Sequence, residues 1–167
     1  MITAILAVFT VVVSACAGAL ASYIQIRATK RDEIFLQKIE QAYSACQDYV
    51  NNLDVIFLNM EKTLHGKLTL SQHFELASQP RDNVRAYRDL KMYLTLYFPD
   101  TLPALSEMYE VRGRLVQLYF DGEKSLKANS SVSNSIKTEF SANIKALDTS
   151  TKKLQSEIAS KAHDRFA

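Results

Sequence analysis

The chain opens on a hydrophobic run that nothing interrupts. Ile2 to Ile26 is 25 residues without a charged side chain, and eleven of them are Leu, Ile, Val or Phe. Arg27, Lys30 and Arg31 follow it. Beyond them the apolar positions recur at helical spacing between polar ones. As a helix the run is roughly 37 Å long at about 1.5 Å per residue. A hydrocarbon core of about 30 Å is therefore crossed with some tilt. The pattern predicts one N-terminal transmembrane helix over residues 1–29 and a helical-bundle domain over 30–167.

Three further readings bear on this anchor. A cleaved signal peptide needs a basic segment ahead of a short apolar core; here no Lys or Arg precedes the run, and the run is too long. Val13-Ser14-Ala15-Cys16 resembles a bacterial lipobox, in which the Cys is lipidated, but the apolar run continues ten residues past Cys16. Ser14, Gly18 and Ser22 are spaced by four. Such a ladder of small residues lets two helices approach closely in lipid, so it is the expected pairing face. The only cations near the run lie after it, which places the N-terminus outside and the remainder in the cytoplasm. No second run of this kind occurs, so the chain is expected to cross once, in a bacterial inner membrane.

After the anchor the clearest pattern covers residues 30–64. Phe35, Ile39, Ala42, Cys46, Tyr49, Leu53, Ile56 and Met60 alternate steps of four and three. A second stripe, Leu36, Tyr43, Val50, Phe57 and Leu64, repeats every seven residues beside it. Two adjacent stripes make a face wider than a two-stranded seam, as on a bundle helix with two neighbours. Gly66 is the expected stop. Nothing between Ile26 and Arg31 breaks a helix, so the anchor is expected to continue into this one. Around Leu53, Val55, Ile56, Phe57 and Leu58 the helix is apolar almost all round, which marks a bundle centre or a contact with a partner chain.

Three more helices follow. Residues 72–79 read as a helical turn or two, with Thr69 or Ser71 as cap. Pro80 is suited to a first helical position, so the next helix is expected at 80–97, with Ala86, Tyr87, Leu90, Tyr93, Leu94 and Tyr97 inward. Pro99 and Pro103 break it, and Asp100 or Thr101 is placed to cap the following one. That helix is expected at 103–121, stopped at Asp121-Gly122. Residues 123–135 are polar and serine-rich and read as an exposed loop. The last helix is expected at 133–162, with Ile136, Phe140, Ile144, Leu147, Leu154 and Ile158 inward and Thr151 interrupting the stripe.

Composition narrows the function. Four Gly, three Pro and no Trp suit an all-α protein. The formal charge of +2 is too small for a nucleic-acid field. Two cysteines provide no disulfide framework. Cys46 lies in the core stripe, as an inert thiol would. His65, His73 and His163 fall in separate segments, none with a His or Cys three or four residues on, so no metal ligand set is expected. There is no Gly-rich phosphate loop and no G-x-S-x-G. Arg81, Arg85, Arg88 and Lys91 line one helix side and could receive an anion or an acidic partner, although a solvated face explains them too.

The resulting expectation is an all-α protein: one N-terminal transmembrane helix, then an antiparallel up-down four-helix bundle. It is read as a membrane-anchored interaction module, oligomeric or bound to another membrane protein. No catalytic residue, cofactor, metal, nucleic acid or small-molecule substrate is expected. The alternatives are a periplasm-facing ligand-sensing bundle, and an enzyme built on a cluster of Asp54, Glu61, His65 or Arg112.

Overall fold

The computed structural model describes the backbone of residues 2–78 and 83–166 and the side chains of 20–78 and 84–165. Among the described residues the chain is all-α and forms a helical bundle. Its helices are α1 (Ile2–Leu64), α2 (Leu70–Ala77), α3 (Asn83–Tyr97), α4 (Leu102–Asn129) and α5 (Asn134–Phe166). A 3-10 turn at Pro99–Thr101 joins α3 to α4. Two compact units are distinguished, Met1–Lys38 and Ile39–Ala167.

In the first unit the backbone is helical throughout residues 25–32, as the absence of a breaker there implies. Residues 20–31 are exposed on every side. Among the described residues no helix is long and apolar enough to cross a membrane. Side chains 2–19, most of the apolar run, lie outside the described set, and with them Ser14, Cys16 and Gly18.

The second unit is built by long helices in antiparallel pairs. Along α1 and α5, Gln155 donates to Gln47 at 2.9 Å, Phe57 meets Phe140 edge-on at 6.5 Å, and Ser141 donates to Glu61 at 2.7 Å. Along α4 and α5, Lys153 reaches Glu107 at 2.6 Å, Thr151 donates to the Met108 sulfur at 3.5 Å, and Arg114 donates to Asn143 at 3.3 Å. In both pairs the low-numbered end of one helix lies by the high-numbered end of the other, as Gln47 with Gln155 against Glu61 with Ser141, and Glu107 with Lys153 against Arg114 with Asn143. The centre holds Ala42, Cys46, Leu90, Leu94, Met108, Leu115, Phe140, Leu154 and Ile158, all fully buried. Thr151 interrupts the α5 stripe in sequence only: it too is buried, with its hydroxyl on Met108.

The stripes of α1 separate. The 4-3 stripe is buried from Ile39 through Leu53. The heptad stripe is exposed at Leu36 and Tyr43 and buried only from Val50 onward. The second neighbour is therefore met only from Val50 to the end of the helix.

The termini of α1 and α2 are chemically explicit. Gly66 has φ +72. Its N–H bonds the Thr63 carbonyl at 3.0 Å and that of Lys67 bonds Lys62 at 2.8 Å, the Schellman closure that favours glycine at that position. Thr69 and Gln72 then form a reciprocal capping box, each satisfying an N–H that the helix start leaves open.

Several sequence expectations are corrected. Tyr97 faces outward, and Phe98 takes the buried place. The Thr101 hydroxyl donates back to the Phe98 carbonyl at 2.8 Å and does not cap α4. Gly122 does not end a helix. It is buried inside α4, and a Cβ there would overlap the Leu64 side chain. The glycine is a notch for the end of α1, not a stop. The polar segment 123–129 is helical, because Glu, Lys, Leu and Ala are strong helix formers. α4 closes at Ser130, which adopts φ 56 and donates its N–H to Leu126. Pro80, the expected start of the second long helix, lies outside the described residues, and α3 begins at Asn83.

Candidate functional site

Three helices meet at an aromatic cleft in the second unit. Tyr49 of α1, Tyr87 of α3 and Tyr109 of α4 form a ladder, with ring centroids 5.3 Å apart at both steps. These spacings lie in the range where tilted rings attract. Leu53, Ile56, Phe57 and Met60 continue the α1 side, and Val84, Arg112 and Val116 complete the lining. The volume of the cleft is about 260 Å³. Tyr49 is buried, while Tyr109 and Val84 are exposed, so the cleft opens to solvent at the last two.

Arg112 is the one charged side chain in that lining. Its guanidinium stands 5.1 Å from the centre of the Tyr109 ring, within cation–π range. Among the described residues no carboxylate pairs with it. Burial pushes the Tyr49 phenol up to about 12, against a smaller lowering from the Arg112 charge. The phenol is thus neutral at physiological pH and contributes a dipole, not a charge.

A second polar cluster lies where α2 docks on α4. The His73 and Tyr119 rings meet at 4.8 Å, tilted by 40°. Both residues are buried, and neither His73 Nδ1 nor Tyr119 Oη has a hydrogen-bond partner. Glu123, one helical turn beyond Tyr119, is also buried and pairs with Lys127 at 2.5 Å. Burial lowers the His73 pKa below 6.5, with Glu123 opposing it. Burial and the Glu123 charge push the Tyr119 phenol up to about 12. The sequence signal was present in part, since Tyr119 and Glu123 are four residues apart on one helix face. That His73 joins them depends on the docking of α2.

Of the candidate site residues singled out from sequence, Leu53, Ile56, Phe57 and Arg112 meet at the aromatic cleft, and the other described ones lie elsewhere. Ser22 is exposed, and Ser14 and Gly18 fall outside the described side chains. Leu53 and Phe57 are core, Ile56 is half-buried, and Val55 and Leu58 are 46% and 48% exposed. The apolar girdle is thus core on one side and open surface on the other. Arg85, Arg88 and Lys91 are exposed on α3. Arg85 and Arg88 share Asp89 at 3.7 and 3.6 Å, contacts of small energy at such exposure. Arg81 lies outside the described residues. Asp54, Glu61, His65 and Arg112 form no cluster: Glu61 is engaged by Ser141, His65 is exposed, and Arg112 faces the cleft. Cys46 is fully buried, and burial pushes its thiol up to about 12. Among the described residues no group of three or more His, Cys, Asp or Glu is placed to hold a metal ion.

The chain matches no protein-family model, no curated protein and no solved structure.

Proposed function

We propose that the protein is a single-pass, membrane-tethered interaction module. An N-terminal transmembrane helix, paired through Ser14, Gly18 and Ser22, carries an antiparallel up-down four-helix bundle on the cytoplasmic side of a bacterial inner membrane. That bundle recruits or senses a partner at the bilayer. The observation that carries this reading is the 25-residue uncharged run with cations only on its C-terminal side. Its eleven large apolar residues contribute about −0.3 to −0.6 kcal/mol each near a bilayer centre. The end of the run supports it, since Leu20, Tyr23, Ile24 and Ile26 are all exposed. Tyr23 and Arg27 also suit the aromatic and basic chemistry of a membrane interface. Exposed Val55 and Leu58, backed by buried Leu53 and Phe57, provide the bundle with a rigid apolar surface for a partner.

A second reading, a ligand-sensing bundle facing the periplasm, is favoured by the aromatic cleft. Reporter fusions at the C-terminus separate the two. The tethered-module reading expects cytoplasmic reporter activity and no periplasmic phosphatase activity. The reverse pattern overturns the orientation, and activity in the soluble fraction overturns the anchor.

A further inference from the structure

The cleft between α1, α3 and α4 has a composition that selects one chemical class of ligand. Its walls are apolar and aromatic, and its single formal charge is positive. A cation is repelled by Arg112, and a neutral apolar body leaves that guanidinium without an anion. A carboxylate offers two oxygens to the planar fork, a bidentate and charge-assisted pairing. Size narrows the choice further. At about 260 Å³ the cleft is larger than the ~150 Å³ cavity that holds benzene. It lies just below the 300 Å³ at which ordinary small-molecule sites begin, to within about a sixth. One ring with a short side arm fits, and a lipid chain or a peptide segment does not. The Tyr49–Tyr87–Tyr109 ladder supplies tilted ring faces, and Phe57 closes the inner side.

We propose that this cleft is a binding site for a small aromatic carboxylate, with its ring among the three tyrosines and its carboxylate on Arg112. The proposal is independent of which side of a membrane the bundle occupies.

The test is calorimetric titration of 3-phenylpropionate into the full-length protein in mild detergent, with detergent alone as blank. The neutral isostere 3-phenylpropionamide is run in parallel. Saturable binding of the acid to one site per chain is expected, with the amide weaker by about tenfold or more, the loss of one charge-assisted contact. Arg112→Gln should weaken the acid by about the same factor and leave the amide unchanged. Val116→Trp, which fills the cleft from a half-buried position on α4, should abolish binding of both while far-UV circular dichroism is unchanged. The proposal is overturned if the acid shows no saturable binding, if acid and amide bind equally, if Arg112→Gln leaves the acid affinity unchanged, or if acid binding survives Val116→Trp in a folded protein. Should Arg112→Gln fail to fold, the acid-to-amide ratio on the unsubstituted protein still decides.

Discussion

The same substitution at two points on one helix should have opposite effects. Gly113 and Gly122 both lie inside α4. A Cβ at 113 meets nothing within 4 Å, whereas one at 122 overlaps the Leu64 side chain and touches Ile136 and Val132 at 3.5 and 3.6 Å. Replacing Gly by Ala in a helix interior stabilises by about 0.8–1 kcal/mol, because the unfolded chain loses freedom. Gly113→Ala should show that gain undiminished. At 122 the gain is the same, but Leu64 is fully buried and is held by the Schellman turn just after it. It cannot swing aside into solvent, so the overpacking cost of about 1–3 kcal/mol applies. Propensity cancels in the comparison, leaving Gly122→Ala below Gly113→Ala by about 1–3 kcal/mol. In a chain of this size that is about 2–12 °C in Tm. Thermal unfolding of the full-length variants in mild detergent, followed by far-UV circular dichroism, measures the difference. Equal Tm values for the two variants would show that α1 does not close on α4 at Gly122.

Other expectations are as direct. Gly66→Ala places a Cβ at φ +72 and should cost about 1–2 kcal/mol, read as a lower denaturant midpoint with unchanged slope. His73 is held neutral by burial, so its folded pKa lies below the 6.5 of the unfolded chain. Protons then bind the unfolded state more tightly, so this stability is complete above about pH 6.5 and is lost as pH falls through 6.5 toward the folded value. Glu123 opposes that loss, while Tyr119 stays neutral and Lys127 stays paired to Glu123. Denaturant midpoints on either side of pH 6.5 should show the slope, and His73→Phe should flatten it while keeping a ring against Tyr119; an unchanged slope would remove His73 as its source. Cys46, fully buried with its thiol near 12, should resist maleimide in the native protein and label on unfolding, since only about one thiol in ten thousand is ionised at pH 8.

The parts of the fold that were legible in sequence are those fixed by local chemistry. The 4-3 spacing from Ile39 to Leu53 requires only that a helix bury one face, and that face is buried. Gly66 at the end of α1 and Thr69 beside Gln72 are local signals, and both act as such. The misreadings came where tertiary contact overrides a local sign. Asp121-Gly122 resembles a stop until Leu64 is seen packed against the glycine. Residues 123–129, the first half of the expected serine-rich loop, are helical because Glu, Lys, Leu and Ala favour helix and Tyr119, Gly122 and Glu123 are buried beneath their neighbours. The cleft was legible only in pieces: Leu53, Ile56 and Phe57 stood out within one apolar girdle, but nothing local joined them to Arg112 or the tyrosines. Its tyrosines stand at helical spacing on three separate helices, and single-helix patterns explain each as packing. Only the assembled bundle brings Tyr49, Tyr87 and Tyr109 together and leaves Arg112 facing them.

The anchor is the centre of the functional account, and alkaline carbonate extraction tests it most directly. The apolar residues of the run together favour insertion by only a few kcal/mol, while each arginine near the helix centre costs about 2.5–3.5 kcal/mol. The account predicts that the full-length protein stays in the membrane pellet and that Val12→Arg with Val13→Arg moves it to the supernatant. Release of the unsubstituted protein by carbonate, or retention of the doubly substituted one, would contradict the membrane anchor.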